Sequence, residues 1–223
     1  EPRMRPTMRT LTQLAFWLIC CGFSTGSFAQ DAKAGEKKSS WCSSCHGVPG
    51  FKAISPEVHR VPMIGRQSAS YIVSALKAYK YGERLNPTMK GIAATLTDAD
   101  MADLGAFYGA QVQGGAAAPA GTAAAPSRQA ADLLKKGNCV SCHGENYSKP
   151  IAPAYPKIAG QHADYLFAAL KAYQTDGNPQ IGRKNPVMGG VARQFTQDEL
   201  KVLANHVGSL QGDLHTVVPS RSR

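Results

Sequence analysis

The sequence predicts an all-α protein of two similar domains in tandem, and three observations carry that reading. A block recurs: Tyr71-Ile-Val-Ser-Ala-Leu-Lys-Ala-Tyr79 returns as Tyr165-Leu-Phe-Ala-Ala-Leu-Lys-Ala-Tyr173, and Asn86-Pro-Thr-Met89 returns as Asn185-Pro-Val-Met188. Apolar residues in both copies fall at helical spacing, with Ile72, Ala75, Leu76 and Tyr79 on one face and Leu166, Ala169, Leu170 and Tyr173 on its counterpart. Between the copies, Gly114 to Ser127 is built from Gly, Ala, Pro, Thr and Ser, a composition that buries little and reads as a linker. The expected boundaries are a first domain over 30–113, a linker over 114–127, a second domain over 128–212 and a tail over 213–223.

Helix ends are written into each copy. Ser68 is placed to cap the helix through Tyr71, and Gly82 and Gly177 to stop the two repeated helices. Thr97 with Asp100, and Thr196 with Glu199, have the spacing of capping boxes. The stripes that follow them, Met101, Leu104 and Tyr108, then Leu200, Leu203 and Val207, are expected to be core.

The first 29 residues differ in kind. Arg3, Arg5 and Arg9 precede an apolar stretch from Leu11 to Phe23, and Ser27-Phe28-Ala29 puts small residues at the two positions a signal peptidase reads. This predicts a secretory signal cleaved after Ala29. For a retained anchor the apolar stretch is short, and for lipid attachment at Cys20 or Cys21 the preceding Ile19 is not the small residue required. Loss of the leader, with its three arginines and Glu1, lowers the formal charge from +10 to +8. A basic surface suits encounter with an acidic partner or peripheral association with anionic lipid. No later run of about 20 apolar residues exists, which excludes a multi-span membrane protein. Basic and aromatic residues do not interleave as nucleic-acid binding would require.

Four cysteines remain after the leader, in two CXXC pairs, and histidine follows each pair: Cys42-Ser43-Ser44-Cys45-His46 and Cys139-Val140-Ser141-Cys142-His143. Two intervening residues let one turn of backbone present both sulfurs to the two vinyl groups of a haem, while the adjacent histidine reaches the iron from the same side. A thioredoxin-like pair or half of a zinc site also uses CXXC, but neither explains the histidine twice, and zinc ligands at the expected spacing are missing. Two covalently attached c-type haems are therefore expected. Domains of about 80 residues bury little apolar area alone, so each haem should form the centre of its domain's core.

The sixth iron ligand distinguishes carrier from enzyme. Among Met63, Met89, Met101 and Met188, Met89 and Met188 alone share a repeat position, each after Asn-Pro-X. Proline biases its predecessor towards extended backbone, so both methionines are expected on ordered loops. A thioether is a soft ligand that favours reduced iron. Met63 aligns with Lys157 and is read as packing near the haem edge, Met101 as core, and His59, His162, His206 and His215 as packing or surface residues.

With these motifs in place, the chain resembles the cytochrome c4 family over residues 31–212. That resemblance implies two class I cytochrome c domains, each wrapped around one covalent haem, in a periplasmic protein. It implies axial pairs His46 with Met89 and His143 with Met188, and a proline carbonyl that accepts from each ligand histidine. Pro153 fits that position in the second copy, whereas His59 stands there in the first. The implied role is one-electron transfer from a quinol-oxidising complex to a terminal oxidase or other periplasmic acceptor. The alternatives are a dihaem peroxidase, which needs an open iron position that matched methionines deny, or the electron-transfer subunit of a dehydrogenase. Mature protein made with a c-type maturation system is expected to carry two haems per chain that survive acid-organic extraction, and haem quantification that finds one contradicts the reading.

Overall fold

The computed structural model describes residues 30–111 and 125–219. The expected leader, with Cys20 and Cys21, and most of the linker lie outside the described residues. In the first domain α1 (Ala32–Lys38), α2 (Ser40–His46), α3 (Ala69–Lys80), α4 (Pro87–Ala94) and α5 (Asp98–Gly109) follow one another, with a two-residue ribbon of β1 (Lys52–Ala53) and β2 (His59–Arg60) after α2 and the strand β3 (Arg84–Leu85) before α4. The second domain repeats the plan as α6 (Arg128–Gly137), α7 (Val140–His143), α8 (Ala163–Gln174), β4 (Gly182–Arg183), α9 (Pro186–Ala192) and α10 (Gln197–Ser209). Two-residue strands are too short to leave a periodicity in sequence, and the fold is otherwise helical as expected.

The expected caps form. Ser68 accepts from Tyr71 N–H, and both capping boxes close, Thr97 with Asp100 and Thr196 with Glu199. Gly82, at φ 77°, ends α3 in the left-handed region, and Glu83 N–H returns to Ala78 O at 2.8 Å. Gly177 does not do the same for α8. That helix stops at Gln174 because Thr175 is extended, and Gly177 turns the longer segment that follows.

The stripes are core: Met101 and Leu200 are 0% exposed, and Ile72, Leu104 and Tyr108 pack with Cys42, Leu76 and Phe107. In the second domain Leu200 and Leu203 pack with Leu133 and Phe195. In the first, α1 crosses α5 closely enough that a Cβ at Gly35 would stand 2.1 Å from Asp103 O. Lys38 Nζ lies 2.7 Å from both Asp100 and Asp103 and holds the two carboxyls below the usual range.

Beyond α10 the chain crosses back to the first domain. Gly65 N–H donates to His215 O at 3.1 Å, His215 N–H returns to Gly65 O at 3.3 Å, and Val217 joins the first domain's core. The second copy has Ala159 where the first has Gly65, and the reason is space, since a Cβ there would stand 2.7 Å from Val217 Cγ2 and 2.8 Å from His215 O. Gly65→Ala is therefore expected to destabilise the protein by about 1–3 kcal/mol, the usual range for overpacking, and to cost far less in a chain ending at Gly212. Thermal unfolding of the four combinations measures this, and an equal penalty with and without the tail contradicts it.

Candidate functional site

Each CXXCH segment is one helical turn. In α2, Cys42 and Cys45 stand three residues apart, and His46 ends the helix. Around α7, Cys139 is already αR, and His143 N–H donates to Cys139 O at 3.1 Å, so the same turn forms with fewer residues. All four cysteines are unpaired, and burial pushes the Cys42 and Cys139 thiols up. Among the described residues no three His, Cys, Asp or Glu side chains assemble as a bare metal-ion site, so neither pair has the extra ligands that zinc needs.

Both histidines are fixed by a main-chain carbonyl. His46 Nδ1 lies 2.9 Å from Pro62 O, and His143 Nδ1 lies 3.0 Å from Pro156 O. A carbonyl can only accept, so the proton sits on Nδ1 and the lone pair on Nε2. Burial lowers both imidazole pKa values, against the opposing effect of the carbonyl, and favours the neutral form. A neutral imidazole with a free Nε2 lone pair is the state in which histidine binds a metal.

This corrects the assignment of Pro153. Its carbonyl accepts from Ser68 Oγ of the other domain, and Pro156 takes the place at His143. Pro62 and Pro156 both stand five residues before Gln67 and Gln161, so the two carbonyls are equivalent in the repeat. His59 is not the first copy's substitute. Its Nδ1 faces Arg60 O at 2.9 Å, and its ring meets the edge of Tyr165.

The methionines also require a correction, because Met89 and Met188 lie in the first turns of α4 and α9 and not on loops. Asn86 and Asn185 are the N-caps, each accepting from the methionine N–H at 3.0 Å, with Pro87 and Pro186 at the first helical position. Asn-Pro is thus a helix start in both copies, and it places both thioethers at one position of matching helices. Met101 is core, and Met63 contributes its backbone to a contact between domains.

That contact has near two-fold symmetry. Gln67 accepts from Lys157 N–H at 3.0 Å and donates to Lys157 O at 2.9 Å, while Gln161 accepts from Met63 N–H at 3.0 Å and donates to Met63 O at 2.8 Å. Around it, Asp164 accepts from Arg60 Nε and its backbone N–H, and Lys171 pairs with Glu57. β3 and β4 pair antiparallel across the same junction, with Arg84 opposite Arg183.

Sequence reasoning missed these arginines. Arg84 donates to Tyr71 Oη at 2.9 Å and lies over Tyr71 and Tyr79, and Arg183 donates to Tyr165 Oη at 3.0 Å and lies over Tyr165 and Tyr173. Neither has a carboxylate partner within salt-bridge range among the described residues. The available signal was their shared place two residues before Asn-Pro in both copies. In the second domain Ser148 Oγ is buried without a hydrogen-bond partner among the described residues. In each domain a neutral histidine with a free Nε2 beside two unpaired cysteines is a donor set that fits a covalently held haem.

Comparison with known proteins places these features in context. The cytochrome c family model matches residues 127–211. A thiosulfate dehydrogenase electron acceptor from Stutzerimonas stutzeri is 30% identical over 76% of this chain and 78% of its own length. Cytochrome c4 from Azotobacter vinelandii is 26% identical over 82% of this chain and 90% of its own. The crystal structure of reduced recombinant cytochrome c4 from Pseudomonas stutzeri superimposes with a TM-score of 0.60 at 26% identity, covering 82% of this chain and 100% of that one.

Proposed function

Because this chain belongs to the cytochrome c4 family and is a dihaem electron carrier with covalently bound c-type haems, we propose that Cys42, Cys45 and His46 hold one haem and Cys139, Cys142 and His143 the other. Met89 would complete the first iron's coordination and Met188 the second's. The observation that carries this reading is the repetition of a whole ligand arrangement: in each domain a carbonyl-bound Nδ1–H leaves Nε2 available, and an Asn-capped helix start presents a methionine.

The haem supplies reversible one-electron chemistry at iron, and the chain sets its terms. Pro62 and Pro156 carbonyls orient the imidazoles and raise their basicity, the thioethers favour the reduced state, and Arg84 and Arg183 offer cationic donors to haem carboxylates. With His46 and Met89 on one iron and His143 and Met188 on the other, the haems would leave peroxide no binding position, in keeping with an electron-transfer protein and not an enzyme.

In this reading the protein acts in the periplasm, accepting electrons from a quinol-oxidising complex and passing them to a terminal oxidase or other periplasmic acceptor, with its basic surface guiding encounter. The relative described as a thiosulfate dehydrogenase electron acceptor favours a second reading for the donor, a periplasmic dehydrogenase. Among the described residues no helix is long and apolar enough to cross a membrane.

Met89→Ala and Met188→Ala are each expected to lower the potential of one haem only, by on the order of 0.1–0.3 V within the roughly 0.8 V that axial ligands span. Each should also open that iron to carbon monoxide, while Met63→Ala leaves both spectra unchanged. Redox titration with carbon monoxide difference spectra measures both effects. Binding of carbon monoxide to the unaltered reduced protein contradicts the assignment.

A further inference from the structure

Two of the contacts described above meet on a single peptide group. The carbonyl that accepts from His46 is Pro62 O, and the N–H of that same peptide is Met63 N–H, which donates to Gln161 of the second domain. The arrangement is reciprocal. Pro156 O accepts from His143, and the N–H of its peptide, on Lys157, donates to Gln67 of the first domain. Each peptide is held at its oxygen by its own domain's histidine and at its nitrogen by the other domain's glutamine.

Both glutamines are nearly sealed from solvent, Gln67 at 5% and Gln161 at 4% exposed. Each is oriented by its remaining bonds: Gln67 Oε1 also accepts from Ser68 N–H and Gln161 Oε1 from His162 N–H, while each Nε2 donates to the carbonyl of the clasped residue. The amides therefore have no freedom to turn away. A hydrogen bond accepted from a peptide N–H shifts electron density towards that peptide's oxygen, and bonds in such a chain strengthen one another. A more negative carbonyl draws harder on the histidine Nδ1–H, and a more basic imidazole favours oxidised iron.

We propose that Gln67 and Gln161 are crossed positioning residues: Gln161 in the second domain tunes the first domain's haem through Met63 and Pro62, and Gln67 in the first tunes the second's through Lys157 and Pro156. Neither glutamine touches the histidine it governs. The arrangement makes each redox centre report on whether its partner domain is docked. This inference rests on the reading of His46 and His143 as axial ligands.

The test is a redox titration of the holoprotein carrying Gln161→Met or Gln67→Met, near-isosteric changes that remove the acceptor oxygen. Gln161→Met is expected to raise the reduced-to-oxidised ratio of the first haem about threefold at a fixed applied potential, with a smaller change at the second, and Gln67→Met to do the reverse. Gln161→Glu keeps an acceptor for Met63 N–H and is not expected to raise the first haem's ratio, whereas loosened packing alone would move both variants alike. Proton exchange at His46 Nδ1, followed by NMR in the reduced protein, should quicken in Gln161→Met. Should that variant fail to fold, Gln67→Met reads the same rule at His143. A larger shift at the haem of the substituted residue's own domain, or no shift, overturns the inference while both histidine ligations persist. A spectrum of the unaltered protein without histidine ligation overturns the ligand assignment instead.

Discussion

The structure turns on one hydrogen bond made twice, from a histidine Nδ1 to a proline carbonyl at Pro62 and at Pro156. It decides the tautomer, because a carbonyl accepts and never donates, and so leaves Nε2 with its lone pair. It also decides which stretch of chain must be held still. Residues 62–67 and 156–161 contain no helix or strand, and a single turn bond closes each locally, Gln67 N–H to Ile64 O at 3.2 Å and Gln161 N–H to Ile158 O at 3.3 Å. The rest of their order comes from outside: the clasping glutamines, the returning tail at Gly65, and in each domain a bond to the last helix, Arg66 N–H to Tyr108 O at 2.8 Å and Gly160 N–H to Val207 O at 3.1 Å.

Energetics favour the amide clasp over the charges around it as the main bond between domains. Arg60–Asp164 is partly exposed, and such pairs contribute about 0–1 kcal/mol. The glutamine amides are buried with all their polar atoms paired, and leaving such a group unsatisfied costs about 1–3 kcal/mol. Separating the domains thus exposes or orphans several groups at once. The paired strands add a constraint of another kind, since they set Arg84 and Arg183 opposite each other in register without carboxylate partners among the described residues.

Much of the fold was legible because it is local and repeated. Capping boxes, the helical stripes and the two CXXCH turns each depend on residues within a few positions of one another, and each is present where the spacing placed it. The errors have physical causes. Asn-Pro was read for the extended bias that proline imposes on its predecessor, yet an N-cap is itself extended, so Asn86 and Asn185 satisfy that bias while starting helices. Counting back from Gln67 and Gln161 sets Pro153 against His59 but Pro156 against Pro62, so Pro62 and Pro156 are the equivalent pair. The clasp and the β3–β4 pairing join residues of opposite domains, which no spacing within one copy discloses.

Hydrogen exchange at the Met63 and Lys157 backbone amides in the reduced holoprotein tests the central claim most directly. Both lie outside regular secondary structure, where amides ordinarily exchange through local fluctuation. The clasp predicts that both exchange as slowly as core amides such as Leu104 and Leu200, only when the domains separate or the protein unfolds. Exchange at the rate of an exposed loop at either residue would contradict it.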